Sequence, residues 1–133
     1  MKKLILPVVL CLLTLTSIDT KANESNSNTE VTTGFYQLST FCKLIQMGKY
    51  EAVKALIEAG EDVNKKSTGL TPLMFAARHN KAKIAKLLIK HGAKLKAKSD
   101  RGRMTALKIA ERSKAMDSYQ VIKNAMEKKS KVK

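Results

Sequence analysis

Between Thr71 and Gly92 the apolar positions form two stripes separated by a polar break. Leu73, Ala76 and Ala77 recur at helical spacing, and the small alanines let a second helix approach closely. Asn80-Lys81 interrupts the run; Ile84, Ala85, Leu87, Leu88 and Ile89 then form the second stripe. Thr71 suits the cap of the first helix and Pro72 its first turn, because the proline's missing amide would be unbonded there. Gly92 follows the last periodic residue, where a left-handed helix end favours a residue without a Cβ. The pattern predicts helices over 72–79 and 82–91, joined by a tight turn and followed by a loop return.

Partial copies of this unit stand on either side. Upstream, Phe35, Leu38, Phe41, Cys42, Leu44 and Ile45 recur at helical spacing, with Ser39-Thr40 in the place of Thr71-Pro72. Gly48 to Gly60 repeats the second half, and the step from Gly60 to Gly92 is 32 residues. Asp62-Val63-Asn64 forms the intervening loop, where Asn64 suits a turn. Downstream, Gly102 to Ala110 is a looser copy with an extra residue before Thr105 and Ala106 in the place of proline. Ser113 to Ser118 reads as a polar connection. Tyr119, Val121, Ile122, Ala125 and Met126 then give a last helix a single apolar face, as a terminal cap requires. Predicted helices are thus 39–47 and 51–59, 72–79 and 82–91, 105–112 and 118–128.

The segment Gly69 to Ala97 resembles the ankyrin repeat. Gly69, Thr71, Pro72, Leu73, Ala76, Ala77, Ile84, Leu87, Leu88, Gly92 and Ala93 stand where the family pattern puts them. Two departures are visible: Met74 replaces the family's histidine, which bonds between adjacent loops, and Asn80-Lys81 replaces Gly-His. The resemblance implies an all-α solenoid of about three helix-turn-helix units with a capping helix.

Outside the repeats, Met1-Lys2-Lys3 followed by the apolar run Leu4 to Leu15, with Thr20-Lys21-Ala22 behind it, reads as a secretory signal peptide cleaved near Ala22. The run is too short for a spanning helix, which needs about 20 apolar residues. A lipoprotein signal would need a small residue before Cys11, where Leu10 stands. The expected organisation is a signal peptide at 1–22, a polar disordered leader at 23–34, a repeat domain at 35–127 and a basic tail at 128–133. Cleavage would leave Cys42 without a disulfide partner, so stability must come from packing; the thiol reads as a small apolar core group.

Charge is unevenly spread along the 133 residues. From Asn23 to Asn64 three lysines face six acids, a net −3; from Lys65 to Lys133 twenty bases face four acids, a net +16. That field suits either a solvated helical surface or an anionic partner. Nucleic acid is not expected, because an exported protein rarely meets it and no aromatic stacking platform is present. An acidic protein, an anionic wall polymer or a membrane surface remains, the last being the weakest of the three.

Catalysis finds no support. His79 and His91 are the only histidines, and no metal-ligand spacing, nucleophile elbow, phosphate loop or paired carboxylates occur. No catalytic residue, cofactor or metal is expected. The ankyrin resemblance instead implies protein binding through loop fingers and first helices. Carried over by position, the contacts are Gln46 and Met47 in the first unit, Ser67, Thr68, Leu70, Arg78 and His79 in the second, and Arg101, Arg103, Met104 and Arg112 in the third. Phe35 and Tyr36 extend that side at its N-terminal end. The chain as a whole also resembles the small exported ankyrin proteins that a predatory bacterium keeps in its periplasm as self-protection against its own peptidoglycan-cutting DD-endopeptidases. That likeness implies a periplasmic inhibitor, or immunity protein, whose partner is another exported protein. A non-inhibitory scaffold or stabilising partner of an exported enzyme, and a binder of anionic wall or membrane polymer, are the alternatives.

Overall fold

Three short polar side chains start the three inner helices, and they stand at matching places along the chain. In the computed structural model, which describes residues 37–132, the Ser39 hydroxyl accepts from the Cys42 amide at 3.2 Å and opens α1, Thr40–Met47. Thr71 accepts from the Met74 amide at 3.3 Å and opens α3, Pro72–Arg78. Thr105 accepts from the Lys108 amide at 3.4 Å and opens α5, Ala106–Arg112. Each is followed by an antiparallel outer helix: α2 (Tyr50–Glu58), α4 (Ala82–Lys90) and α6 (Met116–Lys131). The turn between the two helices of each pair needs one left-handed residue, supplied by Gly48 (φ 74°), Asn80 (φ 52°) and Lys114 (φ 54°). A polar Asn tolerates this region better than most side chains.

The inner helices α1, α3 and α5 stack side by side, and α2, α4 and α6 form a second layer behind them. Among the described residues there is no strand, only an isolated antiparallel bridge between Ser67 and Leu70. The fold is all-α, as predicted. The centre of the stack is α3, where all six residues from Pro72 to Ala77 are buried. Ala76 and Ala77 keep that helix thin enough for neighbours on several sides. Ile45, Val53, Leu73, Met74, Leu88 and Ile122 fill the core, each removing apolar surface worth about 1.5–3 kcal/mol per large side chain.

Two sequence expectations change here. The connection before the last helix is shorter than predicted: α6 begins at Met116, and Ser118, read as part of a polar linker, is fully buried. Its hydroxyl donates to the Ala76 carbonyl at 3.3 Å, and its amide donates to Asn80 Oδ1 at 3.0 Å. Asn80 therefore caps a helix of the next unit, which has no side-chain cap of its own at Ala115. The second change is at the other end. Helix α6 runs through Lys131 rather than stopping at 128, where a disordered tail was expected. Lys128, Lys129 and Lys131 lie in its last turn, where positive charge meets the negative end of the helix dipole. The expected signal peptide and leader, with Cys11, Phe35, Tyr36 and Lys133, lie outside the described residues.

Candidate functional site

The loops that precede α3 and α5 project as fingers. In the first, Ser67 and Leu70 exchange two backbone hydrogen bonds of 2.9 and 3.0 Å around Thr68 (φ 51°) and Gly69 (φ 82°). A Cβ on Gly69 would sit 3.2 Å from the Asp100 Cβ, so this position serves both the turn and the neighbouring finger. The second finger is two residues longer. It closes from the Ser99 amide to the Met104 carbonyl at 2.9 Å, with Gly102 and Arg103 at positive φ.

The fingers hold one another without the family's histidine. The Asp100 amide donates to the Gly69 carbonyl at 3.0 Å, and Lys66 pairs with Asp100 across the two loops. The Ser39 amide donates to the Ser67 hydroxyl at 2.8 Å. Met74 turns its thioether to the Thr71 amide at 3.4 Å, closing a reciprocal cap instead of bridging loops. On the return-loop side, Asn64 donates to the Gly92 carbonyl at 3.1 Å and accepts from the Lys94 amide at 2.8 Å.

Counting from the three caps, Gln46, Arg78 and Arg112 occupy the same place near the ends of α1, α3 and α5, so they form a row along the inner helices. All three are exposed, as is Met47 beside Gln46, at 55 %. Thr68, Arg101 and Arg103 are exposed on the fingers, and Leu70 and Met104 are half-buried at the finger bases. Arg112 Nη1 lies 3.5 Å from the Met104 sulfur, which joins the end of α5 to the base of its finger. Ser67 departs from the predicted set. It is only 8 % exposed and its hydroxyl accepts from the Ser39 amide, so it shapes the finger from within.

His79 caps α3 and is half-buried. Partial burial, and then the charges of Arg78 and Lys81, hold its imidazole below the usual histidine range. The ring is therefore mostly neutral at neutral pH, and its neighbourhood is electropositive. The four arginines of the chain all fall on this side, at the ends of α3 and α5 or on the second finger, while α2, α4 and α6 carry only lysine as their basic residue. The distinction is chemical, since a guanidinium fork matches carboxylates in two-point contacts and is less strongly hydrated than an ammonium. Sequence reasoning did not single out Lys66, an exposed finger cation; its one signal was its position just before Ser67.

No helix among the described residues is long and apolar enough to cross a membrane. A search of curated proteins returns no match. A family model described as ankyrin repeats, in three copies, matches residues 41–132. That span takes in all three helix pairs, both fingers and the row of inner-helix ends, and repeats of this kind serve as protein-binding modules that are typically not catalytic. With its caps, left-handed turns and paired fingers in register, the chain belongs to the ankyrin-repeat family.

Proposed function

We propose that the protein is an exported inhibitor that protects its producer by binding a secreted peptidoglycan hydrolase of the DD-endopeptidase kind through the fingers and inner-helix ends. The observation that carries the binding mode is the gathering of Arg78, Arg101, Arg103 and Arg112 on one side of the stack. Exposed arginine and methionine are enriched at interface centres, and here Arg78 and Arg112 stand on capped helices. An acidic face on a folded partner complements this row. The choice of partner rests on the signal-peptide pattern of residues 1–22 and on the whole-chain resemblance to periplasmic self-protection proteins.

The decisive assay adds the purified protein to an exported DD-endopeptidase acting on wall fragments. Hydrolysis falls as the protein approaches equimolar ratio, and association slows as salt rises, because exposed charges are screened over about 10 Å at 0.1 M. Replacing Arg78 and Arg112 by Glu weakens binding, while Lys83→Glu with Lys86→Glu on α4 changes it little. Undiminished hydrolysis at several-fold excess would rule out inhibition of that enzyme. Equal losses in the two double variants would show that bulk charge makes the contact.

A second reading has its own observation. Lys83, Lys86 and Lys90 line a cleft of about 480 Å³ between α2 and α4, together with Lys54 and its ion-pair partner Glu58, a surface of net positive charge that an anionic wall polymer would fit. Sedimentation with purified wall polymer, lost in the Lys83/Lys86 variant and kept in the Arg78/Arg112 variant, would favour it.

A further inference from the structure

The first return loop of the stack leans on the second. Asn64, in the loop after α2, bonds to the Gly92 carbonyl and the Lys94 amide and so stitches the first return loop to the second. The 32-residue step puts Lys96 of the second loop at the position of Asn64. A third return loop would follow an outer helix of nine residues, the length of α2 and α4. Helix α6 instead continues for 16 residues, so among the described residues no third loop covers the second.

What stands there is a groove of about 540 Å³ between residues 94–97 and the end of α6. Leu95, Ala97 and Met126 give it an apolar floor, and Lys94, Lys96 and Lys129 give it a rim of one sign, with no acidic side chain in the lining. The volume lies within the range of ligand-binding clefts, about 300–1,000 Å³. None of these residues belongs to the arginine row, so the groove is a separate surface from the inner-helix face.

We propose that this groove binds an extended acidic peptide segment that places one apolar side chain over Leu95 and Met126, standing where a third return loop would stand. Two observations select that occupant. In the preceding step the equivalent face, at Asn64 of the first loop, is met by the second loop, whose Gly92 carbonyl and Lys94 amide bond to the Asn64 side chain, so a peptide main chain continues an existing contact. The rim consists only of ammonium groups, which suits carboxylates spaced along a strand on either side of the apolar residue.

The test uses the whole protein and a fluorescein-labelled peptide of alternating glutamate and leucine, read by anisotropy and by amide chemical shifts. Saturable binding is expected, with shifts concentrated at 94–97 and 126–130. Lys96→Glu with Lys129→Glu, both on exposed side chains, lowers the affinity about tenfold or more, with the circular dichroism spectrum unchanged. The proposal is overturned by any of four results: an all-glutamate peptide that binds as tightly, an equal loss in the Lys83→Glu/Lys86→Glu variant, shifts centred on Arg78 and Arg112, or capture of phosphatidylglycerol vesicles in place of the peptide.

Discussion

Replacing Asn80 tests whether the stack is held by a bond that passes between units. The Asn80 side chain accepts from the Ser118 amide at 3.0 Å, capping α6, and donates to the Asp117 carboxylate at 3.0 Å. Its backbone is left-handed, at φ 52°. Loss of a helix cap costs about 1 kcal/mol, and an exposed hydrogen bond to a carboxylate contributes about 0.5–1 kcal/mol. Placing alanine in the left-handed region adds about 1 kcal/mol, a cost that glycine does not incur. Asn80→Ala should therefore lower stability by about 2–3 kcal/mol and Asn80→Gly by about 1–2 kcal/mol. Urea titration followed by circular dichroism measures both, with the midpoint shifting and the slope unchanged if only stability moves. An alanine variant within about 0.5 kcal/mol of the parent would show that the α6 cap contributes nothing. A glycine variant as unstable as alanine would show that the backbone carries no strain.

The core prediction is simpler: Leu87, 7 % exposed on α4, should cost about 2–5 kcal/mol when changed to Ala, and a parent-like melting temperature would deny its packing role. His79 carries a pH dependence whose sign is fixed by its lowered pKa. The unfolded chain takes up the proton first as pH falls through 6.5, so the destabilisation from His79 grows down to its folded pKa, persists in full below it, and is absent well above 6.5. Proton NMR of its ring should titrate below 6.5 and move upward in Arg78→Gln; a midpoint at or above 6.5 in the parent refutes the electropositive setting.

What the sequence displayed most clearly were the features decided within a few residues. Thr71-Pro72 announces α3 because the cap and the proline act on amides immediately beside them, and Ser39 does the same for α1 despite lacking the proline. The start of α6 was hidden because the burial of Ser118 depends on a carbonyl and an asparagine from the previous unit, far away along the chain. The part Ser67 plays within the fold was hidden for the same reason: its hydroxyl accepts from the amide of Ser39. The last turn of α6 has no apolar pattern to reveal it, since its lysines answer to the helix dipole and not to a core. For the binding face, position along the repeat pointed to Arg78 and Arg112. The coupling of Arg112 to Met104 needed the packed structure.

Cys42 lies on α1 with no exposed surface, and burial pushes its thiol pKa up. Such a sulfur stays silent toward alkylating reagents until its helix lifts away, so its reaction rate is a clock on the opening of the first unit. In a stack where each unit touches only its neighbours, an end unit can detach while the centre stays folded. Comparing the labelling rate with the rate of global unfolding would thus distinguish fraying of this end from all-or-none melting, with a reporter atom the chain already contains.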